Sequence, residues 1–126
     1  MLRRALALAA ALLLALPAAA QVQRNFPRNA LRGAIVFGTA PEITLNGNPA
    51  RLAPGARIRD ANNMTIVPGA LLGGRFLVHY TTELYGLVKD VWILTPAEAD
   101  NRPWPTTPEE AQTWGFDPIA QVWVKP

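Results

Sequence analysis

Cysteine and serine are both missing from the 126 residues, and histidine occurs once, as His79. Without a thiol or a serine hydroxyl, Cys–His, Ser–His–Asp and Ser–Lys nucleophilic catalysis are excluded. One imidazole and no thiol leave too few nitrogen and sulfur ligands for a zinc centre. No Gly-x-Gly-x-x-Gly or P-loop pattern occurs, which removes the common phosphate-cradling loops. Disulfides are excluded too, so a small chain that leaves the cell must be held together by packing alone. Lysine is nearly missing: Lys89 and Lys125 are the only two, and arginine carries almost all the positive charge.

The N-terminus supplies the one long hydrophobic run. Arg3 and Arg4 precede the apolar stretch Ala5 to Leu16, and Ala18-Ala19-Ala20 ends it with small residues. That order is the grammar of a secretory signal peptide over residues 1–20, with cleavage expected at Ala20-Gln21. A retained membrane anchor fits less well, since the run is short and Pro17 breaks its end. A bacterial protein, periplasmic or secreted, follows as the expected localisation, with no transmembrane segment after cleavage.

Without the leader, the charge balance is nearly even, yet it is unevenly placed. Arg24, Arg28, Arg32, Arg51, Arg57, Arg59 and Arg75 face only Glu42 and Asp60 in the first half. Beyond Tyr80, Lys89, Arg102 and Lys125 face the carboxylates of Glu83, Asp90, Glu98, Asp100, Glu109, Glu110 and Asp117. Such asymmetry steers a charged partner or lets the two halves neutralise each other on folding.

Residues 21–31 read as a polar arm that is ordered only if Phe26 finds a pocket. Residues 32–95 read as a series of short strands. The stretch 31–37 alternates, and Asn46-Gly47 between strand-like runs is a strong hairpin signal because both residues tolerate positive φ. Pro49 places the return strand at an edge or delays its start. Pro54-Gly55 suits a type II turn. Ala56 to Asp60, Met64 to Val67, Arg75 to Thr82 and Leu87 to Leu94 continue the series. In the remaining segment, 96–126, Thr95-Pro96-Ala97-Glu98 and Thr107-Pro108-Glu109-Glu110 each follow the grammar of a capped helix start. The second helix is expected to stop at Gly115 as its C′ residue, and Ile119 to Val124 forms a last strand. The fold expected is all-β: a small barrel of five to seven strands with a C-terminal segment of two short helices, rich in tryptophan and packed on the barrel.

The pieces Arg32-Gly33-Ala34-Ile35, Ile43-Thr44-Leu45-Asn46-Gly47, Leu52 to Ile58 and the closing strand from Gly86 to Leu94 resemble the small OB-like barrels of uncharacterised bacterial secreted proteins. The resemblance covers about half of the chain beyond the leader, and the tryptophan-bearing tail has no counterpart in it. It implies a fold and leaves the activity open, since such barrels host many unrelated functions.

Four groups of residues carry candidate chemistry. Arg57 and Arg59 share a strand face by the period of two, and Arg51 and Arg75 fall on neighbouring strands. A patch of this kind binds an anionic polymer such as lipopolysaccharide phosphates, teichoic acid or peptidoglycan carboxylates; otherwise it is a solvated strand face. Trp92, Trp104, Trp114 and Trp123 all follow Tyr80. Three of them suit the anchoring of a lid on a core poor in aliphatics, whereas Trp104, between two prolines, is expected to be exposed and available to a ligand. His79 alternates with Phe76, Val78 and Tyr80 and reads as an exposed strand histidine. Glu83 and Asp90 flank the turn at Gly86 and form the candidate pair for a carboxylate-dependent hydrolase.

The expected function is therefore a non-catalytic binding module for an anionic envelope component, with Arg51, Arg57, Arg59, Arg75 and Trp104 as ligand-binding residues. No cofactor, metal or nucleic acid is expected. A protein-interaction or envelope assembly factor is the first alternative, and the hydrolase is the second.

Overall fold

The computed structural model describes residues 23–126. The expected signal peptide and its cleavage site lie outside the described residues. Five strands, β1 (Leu31–Phe37), β2 (Glu42–Leu45), β3 (Asn48–Arg59), β4 (Arg75–Thr82) and β5 (Val88–Ile93), close into a barrel in the order β1-β2-β3-β5-β4. All neighbours are antiparallel except β3 and β5, which run parallel. This small closed mixed barrel is consistent with an OB-like fold at the coarse level. Two short helices follow, α1 (Pro96–Asp100) and α2 (Pro108–Thr113), and then a two-stranded ribbon of β6 (Gly115–Asp117) and β7 (Val122–Val124).

Local chemistry explains the barrel's corners. Asn46 (φ 53°) and Gly47 (φ 83°) form the two-residue turn between Leu45 and Asn48, as the Asn-Gly pair predicts. The Asn46 side chain also accepts the Ala34 N–H at 2.9 Å, which ties the turn to β1. Pro49 lies opposite Thr44 of β2, ahead of the point where β5 joins the other side of β3 at Leu52. Its missing N–H therefore costs no ladder bond.

Three segments differ from expectation. Pro54-Gly55 does not turn the chain: β3 runs through it, and the pairing with β5 shifts register between Leu52 and Arg57 with Gly55 at φ 75°. The proline and glycine make a bulge that bends one long strand round the barrel. Met64–Val67 does not return as a strand, and only an isolated bridge from Arg59 to Thr65 forms before a 3₁₀ turn at Pro68–Leu71. Gly115 follows the Trp114 C-cap of α2, where the helix was expected to stop, but without positive φ: it opens β6, and its neighbour Phe116 pairs with Trp123.

Both helix starts are as expected. The Thr95 hydroxyl accepts the Glu98 N–H and the Glu98 carboxylate accepts the Thr95 N–H, a complete capping box. Thr107 caps α2 in the same way, while the Glu110 carboxylate reaches one residue further back, to Thr106.

The core has two layers. Inside the barrel, Ile58, Val91, Tyr80 and Leu31 form one cross-strand row, extended by Ile35, Phe37, Ile43, Val78 and Val88. Outside it, the tail lies over β1 and β4, and the arm over β5. Phe26, Trp104, Phe116 and Trp123 meet there as edge-on and stacked rings. The arm is ordered because Phe26 does find a pocket, between His79, Trp92 and Trp104.

Candidate functional site

The site begins with a row of residues across four strands. Arg59 of β3 pairs with Trp92 of β5, Trp92 with His79 of β4, and His79 with Arg32 of β1. Cross-strand partners share a face. This row alternates with the interior row, so all four side chains point away from the barrel lumen.

His79 is nevertheless only 1 % exposed, and Trp104 only 4 %. The expectation of an exposed histidine and an exposed tryptophan is thus overturned. Strand alternation tells which face a residue is on, and here the outward face is dry because the tail covers it. The segment around Trp104 adds to β1, with the Arg32 N–H donating to the Pro105 carbonyl at 2.8 Å. The Trp104 ring then stacks on His79, centroids 4.0 Å apart, and its indole N–H donates to the Ala30 carbonyl at 2.9 Å.

The Arg32 guanidinium is buried behind the imidazole. It donates from Nε and Nη2 to His79 Nε2 at 3.2 and 3.0 Å. It also donates to the Ala99 carbonyl at 3.2 Å and the Glu98 carbonyl at 2.8 Å, at the C-terminal end of α1. Guanidinium is a donor only, so His79 Nε2 is the acceptor and the ring proton is assigned to Nδ1. Burial first, then the charges of Arg32 and Arg24, push the His79 pKa down to about 2. The ring is therefore a neutral donor, and its Nδ1 has no hydrogen-bond partner.

Arg24 fixes the arm to the opposite side. Its guanidinium grips the Glu98 carboxylate with both Nε (2.9 Å) and Nη2, and donates to the carbonyls of Asp60 and Ile93. Burial alone would raise the Glu98 carboxyl; hydrogen bonds from Arg24 and from the Thr95 backbone outweigh it and hold Glu98 below the usual range. The Gln121 amide pairs with both the N–H and the carbonyl of Phe26. Among the described residues the ion pairs are Arg24–Glu98 and Arg51–Glu42, so Arg32 is a buried cation with carbonyls and a neutral ring around it but no carboxylate pair.

Between arm, tail and barrel lies a crevice of about 830 Å³. Gln23, Arg24 and Phe26 of the arm form one wall, Ala61 to Asn63 after β3 another, and Thr95 to Glu98 with Asn101 and Gln121 a third. His79 and Trp104 reach it from below. Among the described residues no group of His, Cys, Asp and Glu is placed to hold a metal ion.

The residues expected to bind ligand are distributed differently from expectation. Trp104 lines the crevice as a buried ring. Arg59 shares the His79 row and leads directly into the Ala61–Asn63 wall. Arg57 lies next to it on the same face but opposite Asp90, whose carboxylate accepts the Thr81 hydroxyl at 3.0 Å. Arg51 pairs with Glu42 at 3.0 Å in solvent. Arg75 sits opposite Val36 at the start of β4, with β5 on one side and β1 and β2 on the other separating it from β3. Only Arg57 and Arg59 are brought together. Glu83 is exposed in the β4–β5 turn, and neither it nor Asp90 lines the crevice.

Arg24, Arg32, His79 and Gln121 escaped the sequence reading as site residues. Their signal was indirect: Trp92 and His79 put large rings on a nominally wet strand face, and four tail tryptophans needed a surface to cover. No protein family, curated protein or solved structure matches this chain, and its functional reading therefore rests on the crevice itself.

Proposed function

We propose that the chain is a non-catalytic periplasmic or secreted binding module, an OB-like barrel of the bacterial secreted kind, that takes an anionic envelope component into the crevice between barrel and tail. The observation that carries this reading is the buried Arg32 cation, which forms no ion pair among the described residues and stands behind a neutral histidine that lines the crevice. A buried cation with no ion-pair partner, its charge further disfavoured by burial and by Arg102 and only partly offset by Glu98, favours an incoming anion. The exposed amides of Asn62, Asn63 and Gln23 at the walls suit a polar, hydrogen-bonding ligand. Binding rather than turnover is supported by the state of His79: a ring held neutral to about pH 2 is a poor base, and Glu98 is committed to Arg24 and Thr95. Export rests on residues 1–20, and N-terminal sequencing of periplasmic protein tests it.

The test of binding is an amide NMR titration with lipopolysaccharide, peptidoglycan fragments and an anionic polysaccharide. Shifts centred on Asn62, Asn63 and Asn101 that weaken with salt are expected. Shifts confined to Arg51 and Arg75 would move the site to the open barrel face, and no shift with any of the three would overturn the reading.

A protein-interaction or assembly role has one observation in its favour. Leu84 and Tyr85 at the β4–β5 turn are 91 % and 85 % exposed, and Ile119 and Val124 are open on the ribbon. Salt-insensitive cross-linking to another envelope protein through Tyr85 would favour it.

A further inference from the structure

His79 holds a polar atom that the fold does not use. Nε2 is saturated by Arg32, Trp104 covers one ring face, and Phe26 stands edge-on with centroids 4.4 Å apart. That leaves the Nδ1–H without a partner in a ring that is almost wholly buried yet contributes to the crevice lining. Unpaired buried donors are costly and uncommon in folded proteins. The donor here is also polarised, because a guanidinium hydrogen bond to Nε2 draws electron density away from Nδ1–H.

We propose that the crevice takes a carboxylate, carried by a sugar acid or by a peptide end, on the Nδ1–H of His79. This rests on the crevice being the binding site and names the ligand class. A carboxylate offers one negative charge and acceptor oxygens. That matches one neutral N–H donor in front of one cation that forms no ion pair among the described residues. A phosphate dianion asks for more charge and more donors than the floor provides, since Arg24 is already spent on Glu98. The amides of Asn62 and Asn63 then meet the hydroxyls or amides of the carrier. Because the ring is so deeply buried, the carboxylate reaches it only as the arm around Phe26 gives way, and Phe26 moves with His79 on binding.

His79 is the sole histidine, so its ring ¹⁵N signals need no assignment by mutation. The experiment titrates the ring-labelled protein with glucuronate and with N-acetylalanine, each against its uncharged counterpart, glucose and N-acetylalanine amide. Glucose 1-phosphate serves as the phosphate probe. The expected result is a ring in the Nδ1–H form whose proton signal moves with a carboxylate and not with its neutral partner. Which of the two acids acts identifies the carrier as sugar or peptide. His79→Gln keeps an acceptor for Arg32 but no Nδ1-like donor, and it weakens carboxylate binding about tenfold or more. His79→Asn keeps the donor position and binds more tightly than His79→Gln. Should either variant fail to fold, the wild-type ring signal decides alone. Crevice amides that shift with the acids while the ring signal stays fixed would overturn the role of His79 and leave the crevice site standing. Shifts with glucose 1-phosphate only would overturn the carboxylate class. Silence with every anion would take down the crevice reading as well.

Discussion

The barrel interior and the layer between barrel and tail bury comparable rings and chains by opposite means. Inside, Ile35, Ile58, Val78, Val88 and Val91 are fully enclosed aliphatics with no polar atom to satisfy. Outside, Arg32, His79 and Gln121 are as deeply buried as the tryptophans around them. Each needs partners, and those come from segments far apart in sequence: Arg32 from α1, Gln121 from the arm, Trp104 from Ala30. An aliphatic layer tolerates small shifts, because dispersion is non-directional. A layer of buried polar groups depends on directional hydrogen bonds that close together, and among the described buried side chains only His79 Nδ1 and Trp123 Nε1 are left without a partner. The barrel thus sets the fold, and the tail layer encloses the candidate site.

The largest effect expected is on that contrast. Trp104→Ala removes the stack on His79 and the bond to Ala30, and costs about 3–5 kcal/mol, at least as much as Ile58→Ala in the lumen at about 2–5 kcal/mol. All four tryptophans lie in or against the tail layer, so their fluorescence reports that layer, while far-ultraviolet dichroism reports the strands. In urea the two signals are expected to coincide in the wild type, because the arm and tail contribute to one continuous cluster with the barrel. Tail fluorescence lost well before the strands would split the molecule into two units and break the comparison.

The next effect is set by His79. Its folded pKa near 2 lies below the ordinary 6.5, so the unfolded chain binds the proton first. Stability from this group is therefore complete above about pH 6.5 and falls by about 1.4 kcal/mol per unit as the pH drops below it. By about pH 5 the loss is about 2 kcal/mol. Glu98, also depressed, adds a loss in the same direction only below its ordinary 4.5. Urea midpoints measured down this range in wild type and in His79→Gln check the sign. A slope that survives in the variant would assign it to another group. An aliphatic lumen contributes no such slope.

The same contrast explains what could be read in the sequence. Four of the barrel strands, the Asn46-Gly47 hairpin and both threonine-capped helix starts were legible because each is written locally, in a period of two or a capping grammar; β3 was legible only as two pieces broken at Pro54-Gly55. Gly55 was misread because a turn and a bulge call for the same positive φ; only the parallel partner β5 distinguishes them, and it is thirty-odd residues away. His79 and Trp104 were misread for one shared reason. Each covers the other, so neither burial is visible until the tail is laid on the strands. Arg32 was counted only in the charge balance of the first half, because nothing local marks a guanidinium that will face carbonyls.

A smaller effect sharpens the link between layer and helix. Thr95→Ala opens the capping box that also orients Glu98 towards Arg24, and it costs about 0.5–2 kcal/mol in urea unfolding. Thr107→Ala, in the exposed cap of α2, loses the same bond to the Glu110 N–H without a buried ion pair behind it. The Thr95 variant is therefore expected to be the more destabilised of the two, and equal losses would detach Glu98 from the stability of the layer.

The smallest effects belong to the exposed arginines, and they test how far the site extends. Arg51→Gln removes an ion pair whose side chains are each 59 % exposed, which is worth about 0–1 kcal/mol and is further weakened by salt. Arg75→Gln alters a surface charge at the start of β4, four residues along the strand from His79 and outside the crevice lining. Neither is expected to change the titration of the crevice amides. Arg59→Gln is different, because Arg59 shares the His79 row and precedes the Ala61–Asn63 wall; it is expected to weaken anion binding modestly and to reduce its salt dependence. Arg57→Gln separates two explanations of that loss. If Arg57, one step along the same face but opposite Asp90, weakens binding as much as Arg59, the ligand is attracted by the general charge of β3. If Arg59 alone matters, the anion sits at the row that Arg32 and His79 define.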